Sequence, residues 1–130
     1  MRSFLLACSF LTIIPVGGQP EAGEREMAQS LYYYPVVGFI IGTLLAGLAW
    51  FSHLLHLEWG GDALVVVAWI VVSGGLHLDG LMDSADGLLS GRDRRRKLEI
   101  MKDSRVGAMG TIALVAVILL KFAMLTSLPY

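Results

Sequence analysis

The sequence predicts an all-α, polytopic membrane protein with three transmembrane helices and an N-terminal re-entrant or interfacial helix. Three observations carry this reading. Of the 130 residues, 55% are apolar and only 16% are charged, against about 25% charged in an ordinary soluble domain. Mean hydropathy is +0.67. The charges are concentrated in residues 79–105 and around residues 21–26, with long apolar runs between them, which is the pattern of membrane spans separated by aqueous loops.

Each element follows in order. Residues 3–16 are apolar but form a helix of only about 21 Å, short of a roughly 30 Å hydrocarbon core. They read as a re-entrant or interfacial helix. Pro15-Val16-Gly17-Gly18 lacks the A-x-A pattern of a signal-peptide cleavage site, so the segment is expected in the mature protein. Gly17-Gly18-Gln19-Pro20 is a turn signal, and Glu24 to Ser30 start a short surface helix. Residues 32–57 are the first span. Tyr32, Tyr33 and Tyr34 at its start and Trp50 and Trp59 towards its other end form an aromatic belt. Gly38, Gly42 and Gly47 let another helix approach closely. Residues 58–62 read as a loop and residues 63–78 as the second span, whose helix is expected to run on past the membrane edge into the aspartates. Residues 107–128 are the third span, interrupted only by Lys121, which snorkels.

Orientation comes from the basic residues. Arg92, Arg94, Arg95, Arg96, Lys97, Lys102 and Arg105 all lie in the 79–106 segment, and the 52–62 loop has no Lys or Arg. The positive-inside rule places the 79–106 segment in the cytoplasm, for a multi-pass protein of the cell membrane. The whole chain, 1–130, reads as a single membrane domain with a cytoplasmic catalytic segment at 77–107. Cys8 is the one cysteine, so no disulfide framework exists within the chain. A net charge of −1 gives no basis for a nucleic-acid partner.

The chemistry is concentrated in His77-Leu78-Asp79-Gly80-Leu81-Met82-Asp83-Ser84-Ala85-Asp86-Gly87. Asp79, Asp83 and Asp86 are spaced i, i+4, i+7, which places them on one helical face. Carboxylates so close repel one another unless cations sit among them. A hard divalent ion such as Mg²⁺ takes carboxylate oxygens and keeps positions open for phosphate. Asp103 is positioned in sequence to return as a fourth ligand. The basic run beside the aspartates suits a diphosphate held by metal, with Arg or Lys neutralising charge on a leaving phosphate.

Plainer roles compete for the same residues. Aspartates on one face can be a solvated helix surface, although here two glycines follow aspartates directly and the group abuts an apolar span. The basic run also anchors to anionic headgroups. His77 is more often a packing or hydrogen-bonding residue than a ligand. His53 and His56 fall on the opposite side by topology. Gly107 and Gly110 ease helix packing or start the third span.

The stretch Gly74–Gly87 resembles the signature of the cobalamin synthase (adenosylcobinamide-GDP ribazoletransferase) family. Leu98-Glu99-Ile100-Met101-Lys102-Asp103-Ser104-Arg105-Val106-Gly107 resembles that family's second block. Phe10-Leu11-Thr12-Ile13-Ile14-Pro15-Val16 and Tyr34-Pro35-Val36-Val37-Gly38 are similar to it as well. The resemblance covers nearly the whole chain but only the N-terminal half of the family's length.

This resemblance implies a Mg²⁺-dependent reaction at the cytoplasmic membrane. α-Ribazole, free or as its 5′-phosphate, attacks the phosphate that joins adenosylcobinamide to GDP, and GMP leaves. Asp79, Asp83, Asp86 and Asp103 would form the metal and diphosphate site, with His77 and Arg105 beside it. Besides the two substrates and the lipid bilayer, the expected partner is a missing C-terminal half or a second copy of the chain. Two other readings stay open. Asp83, Asp86 and Gly87 match the opening of the CDP-alcohol phosphotransferase pattern, which departs from this chain after that point. A non-catalytic membrane protein whose charged patches bind a partner or lipid is the third.

Overall fold

The computed structural model describes residues 2–16 and 23–128, and among these every regular element is a helix. In order they are α1 (Arg2–Leu11), α2 (Glu24–Ser30), a 3₁₀ turn (Leu31–Tyr33), α3 (Tyr34–Leu54), α4 (Glu58–Val72), α5 (Leu76–Leu89), α6 (Arg94–Ile100) and α7 (Ala108–Thr126). The turn expected at Gly17–Pro20 lies outside the described residues. The chain forms two compact units, Met1–Gly74 and Gly75–Tyr130.

Two stretches, Glu24–Leu54 and Ala108–Thr126, are long and apolar enough to cross a membrane. The count rises to three if α4 and α5, separated by a break, are taken as one span. Their exposure is inverted relative to a soluble core. In α3 only Val37 and Ser52 are buried, and in α7 only Gly110 is. Such surfaces need a lipid solvent, in which helices satisfy their own backbone polar groups. The fold is that of a helical membrane protein.

In the first unit, α1 packs on α2 and α3, and α3 on α4. Phe4 meets Tyr33 edge-on and Phe10 stacks on Tyr34, each at a centroid separation of 5.8 Å. Two members of the predicted tyrosine belt thus partly serve packing, while Tyr32 remains 83% exposed. Arg2 pairs with Glu26 at 3.1 Å. After α1, the Ile13 amide donates to the Val72 carbonyl at 2.9 Å. That satisfies one of the carbonyls left over where α4 ends.

The second span differs from expectation at both ends. Residues 58–62 belong to α4 rather than to a loop. The reversal from α3 is made instead at residues 55–57, where His56 adopts φ 55° and the Leu57 amide donates to the Ser52 carbonyl. Gly61 then faces Ser52, and a Cβ at Gly61 would stand 2.6 Å from the Ser52 Cβ. At the far end the helix does not run on into the aspartates. It stops at Ser73-Gly74-Gly75, where both glycines have positive φ (+62° and +70°). This left-handed backbone is open to glycine and closes a helix. The aspartates therefore belong to a new helix, α5.

Gly61→Ala should destabilise the α3–α4 pair by about 1–3 kcal/mol through overpacking against Ser52. Gly60→Ala, with no atom within 4 Å of its added Cβ, should not. Unfolding of the two variants in detergent, followed by helical circular dichroism, measures the difference.

Candidate functional site

The site residues named by the sequence all lie in the second unit, on α5 and on the loop that leads into α7. Helix α5 starts at Leu76, after its N-cap Gly75, and carries Asp79, Asp83 and Asp86 along its length. On a helix, neighbouring positions of this set have Cβ atoms about 5–6 Å apart. Asp79 is exposed and Asp83 half-buried. Among the described residues, the side chains of Asp79, Asp83 and exposed His77 make no hydrogen bond or ion pair.

Asp86 is different. Its Oδ2 accepts from the Gly107 amide at 2.7 Å, and its Oδ1 from the Gly110 amide at 2.8 Å. Gly107 is the N-cap of α7 and Gly110 its third helical residue. In a capping box, the N-cap and N3 side chains satisfy each other's backbone amides. Here both positions are glycine, and one carboxylate from α5 makes both bonds. Cβ atoms at Gly107 and Gly110 would each come within 2.4 Å of an Asp86 carboxylate oxygen, so the missing side chains are what let it in. The negative charge also meets the positive end of the α7 dipole. Hydrogen bonds of this charge-assisted kind contribute about 1.5–3 kcal/mol each. They fix the most extensive helix pairing in the unit, α5 with α7.

The next residue receives α6. A Cβ at Gly87 would lie 2.5 Å from Met101 Cγ and 3.1 Å from the Lys97 carbonyl oxygen. Helix α6, which the sequence reading left inside a polar segment, is capped by Asp93, whose Oδ1 accepts from the Arg96 amide at 2.9 Å. Arg95 and Arg96 both bond Glu99, at 3.3 and 2.8 Å. These exposed pairs contribute little to stability. Arg92, Arg94, Lys97 and Lys102 have no side-chain partner among the described residues.

The loop after α6 contains a local clamp. Asp103 Oδ1 accepts from the Arg105 amide at 3.1 Å, and Arg105 Nε and Nη2 donate to the carboxylate at 3.0 and 2.6 Å. The Arg105 side-chain hydrogen bond, then its backbone amide, lower the Asp103 pKa from 3.8 to about 2, and Arg105 is raised in return.

Among the described residues no three His, Cys, Asp or Glu side chains converge as a metal cage. Magnesium seldom needs one. It is usually bound by one or two carboxylates plus water and substrate phosphate. Asp79 and Asp83, a turn apart and without a partner among the described residues, fit that donor set. The structure thus places Asp79, Asp83 and Asp86 on one helix, engages Asp86 with α7, and pairs Asp103 with Arg105.

Residues 3–130 match the family model described as cobalamin-5-phosphate synthase. The chain belongs to that family. Three adenosylcobinamide-GDP ribazoletransferases illustrate the likeness. That of Desulforamulus reducens is 55% identical over 97% of this chain and 50% of its own length. That of Roseiflexus sp. is 50% identical over 92% and 44%. That of Brevibacillus brevis is 45% identical over 100% and 52%. The chain therefore spans about half the length of these curated relatives. No solved structure matches it.

Because the folded-state pKa of Asp103 is depressed, its carboxylate should stay ionised, and the Arg105 clamp closed, down to about pH 2, opening as the pH falls through that value. In Arg105→Gln the titration should move up towards the ordinary carboxylate range. Carboxyl ¹³C shifts against pH test both statements.

Proposed function

We propose that this chain supplies the phosphotransfer site of an adenosylcobinamide-GDP ribazoletransferase, acting at the cytoplasmic face of the cell membrane. The observation that carries the reading is the family match over residues 3–130, which includes the unpartnered Asp79 and Asp83 on α5. The basic residues of the 79–106 segment support the cytoplasmic orientation.

In this reading a hydroxyl of α-ribazole, or of its 5′-phosphate, forms a new bond to the phosphorus that joins cobinamide to GDP. The bond to the GMP oxygen breaks, the hydroxyl proton passes to solvent or to a nearby base, and GMP leaves. Asp79 and Asp83 would hold Mg²⁺, which would supply positive charge against the diphosphate and Lewis acidity at the reacting phosphorus. Asp86 stands next on the same helix, with one lone pair on each of its oxygens already engaged by α7. Asp103, on the loop that leads into α7, would be a further oxygen donor. Arg105 neutralises charge on the departing GMP, and His77 is the nearest imidazole in sequence to the acidic face, available for the hydroxyl proton. The remaining half of the relatives' length, or a second copy of the chain, completes the corrinoid pocket.

The decisive assay follows GMP release from adenosylcobinamide-GDP and α-ribazole by the membrane-inserted chain, alone and with the C-terminal half of a full-length relative. Turnover that requires Mg²⁺ is expected. Asp83→Asn should insert normally and lose on the order of a hundredfold or more in rate. Full activity in that variant would remove Asp83 from the metal site.

A further inference from the structure

Among the described residues, Asp86 is the one acidic residue of the α5 face whose oxygens are both engaged by the protein. We infer that it serves the transfer proposed above as a positioning residue. Acting through the amides of Gly107 and Gly110, it sets where the Asp103–Arg105 loop stands relative to Asp79 and Asp83.

The geometry gives three reasons. First, the two bonds, at 2.7 and 2.8 Å, reach residues 21 and 24 positions ahead. They therefore tie separate helices, where a local turn would tie neighbours. Second, the anchored residue Gly107 lies two positions after Arg105, so the short run 103–107 leaves the clamp little freedom once its end is fixed. Third, the nearest atoms a Cβ at Gly107 would meet all belong to the Asp86 carboxyl group, and a Cβ at Gly110 would meet that carboxylate first and then the Met82 carbonyl oxygen at 3.0 Å. Glycine there serves the contact with Asp86, and α7 has no side-chain cap of its own at Gly107. A residue engaged in this way acts on the reaction through the loop. Asp79 and Asp83, which have no such engagement among the described residues, would act on metal directly.

The two roles separate experimentally. Asp86→Asn keeps one carbonyl oxygen and turns a second acceptor into a donor, so one of the two amides loses its partner. Gly110→Ala leaves the carboxylate chemically intact but displaces it. Both should raise hydrogen exchange at the Gly107 and Gly110 amides by about tenfold or more, since exchange reports local opening. Both should also lower kcat, while the affinity for Mn²⁺ alone, read by electron paramagnetic resonance, stays within about threefold of the parent. Asp83→Asn should do the reverse, weakening Mn²⁺ by about tenfold or more with exchange unchanged.

The proposal is overturned if Asp86→Asn leaves both amides protected. It is equally overturned if that variant weakens Mn²⁺ as much as Asp83→Asn does while Gly110→Ala does not, which would make Asp86 a ligand. Asp86→Glu gives a further check. Its longer side chain keeps the charge but misplaces it, so partial protection with partial kcat supports positioning. A parent chain without ribazole transfer, even when completed by the C-terminal half, would refute the proposed function. The exchange measurement would still decide whether Asp86 holds α7.

Discussion

A carboxylate that closes the start of another helix is the constraint on which the second unit depends. The first turn of any α-helix has amides without intrahelical acceptors. In α7 those amides stand where the polar loop enters an apolar span, and two of them belong to glycine. Asp86 satisfies both. Its neighbour Gly87 admits α6 to within a methyl's width. One dipeptide thus receives a helix on each side, and the placement of the 101–107 loop follows.

This division of labour explains an acidic face that would otherwise be self-repelling. Three carboxylates on successive turns are unfavourable together unless each finds a counter-charge or donor. Asp86 finds the α7 amides and the positive end of that helix dipole. Asp79 and Asp83 find nothing within the described residues. The side chains of Arg92, Arg94, Lys97 and Lys102, which have no partner among the described residues, lie on the same stretch of chain, so the segment carries acidic and basic groups side by side.

Much of this was legible in the sequence. The helix at Glu24–Ser30 and the spans at α3 and α7 follow from apolar length and flanking polarity, and the aspartate spacing placed three carboxylates on one helix. The second span was misread because Gly60-Gly61-Asp62 resembles a loop, whereas the reversal uses His56 in a left-handed conformation and Gly61 serves contact with Ser52. The Gly74-Gly75 pair did contain a stop signal, overridden by the expectation of a continuous helix. Asp93 before Arg94 was likewise a legible N-cap. The engagement of Asp86 could not be read from periodicity, because its partners are backbone amides far along the chain. The nearest sequence signal was the glycine pair itself: two capping-box positions without side chains imply a cap supplied from elsewhere.

The direction of synthesis gives the arrangement of Asp86 a temporal order. Asp86 leaves the ribosome 21 residues ahead of Gly107 and 24 ahead of Gly110. The acceptor is therefore made before the amides that it meets. Helix α7 thus finds the acceptor for its first amides in a part of the chain that precedes it.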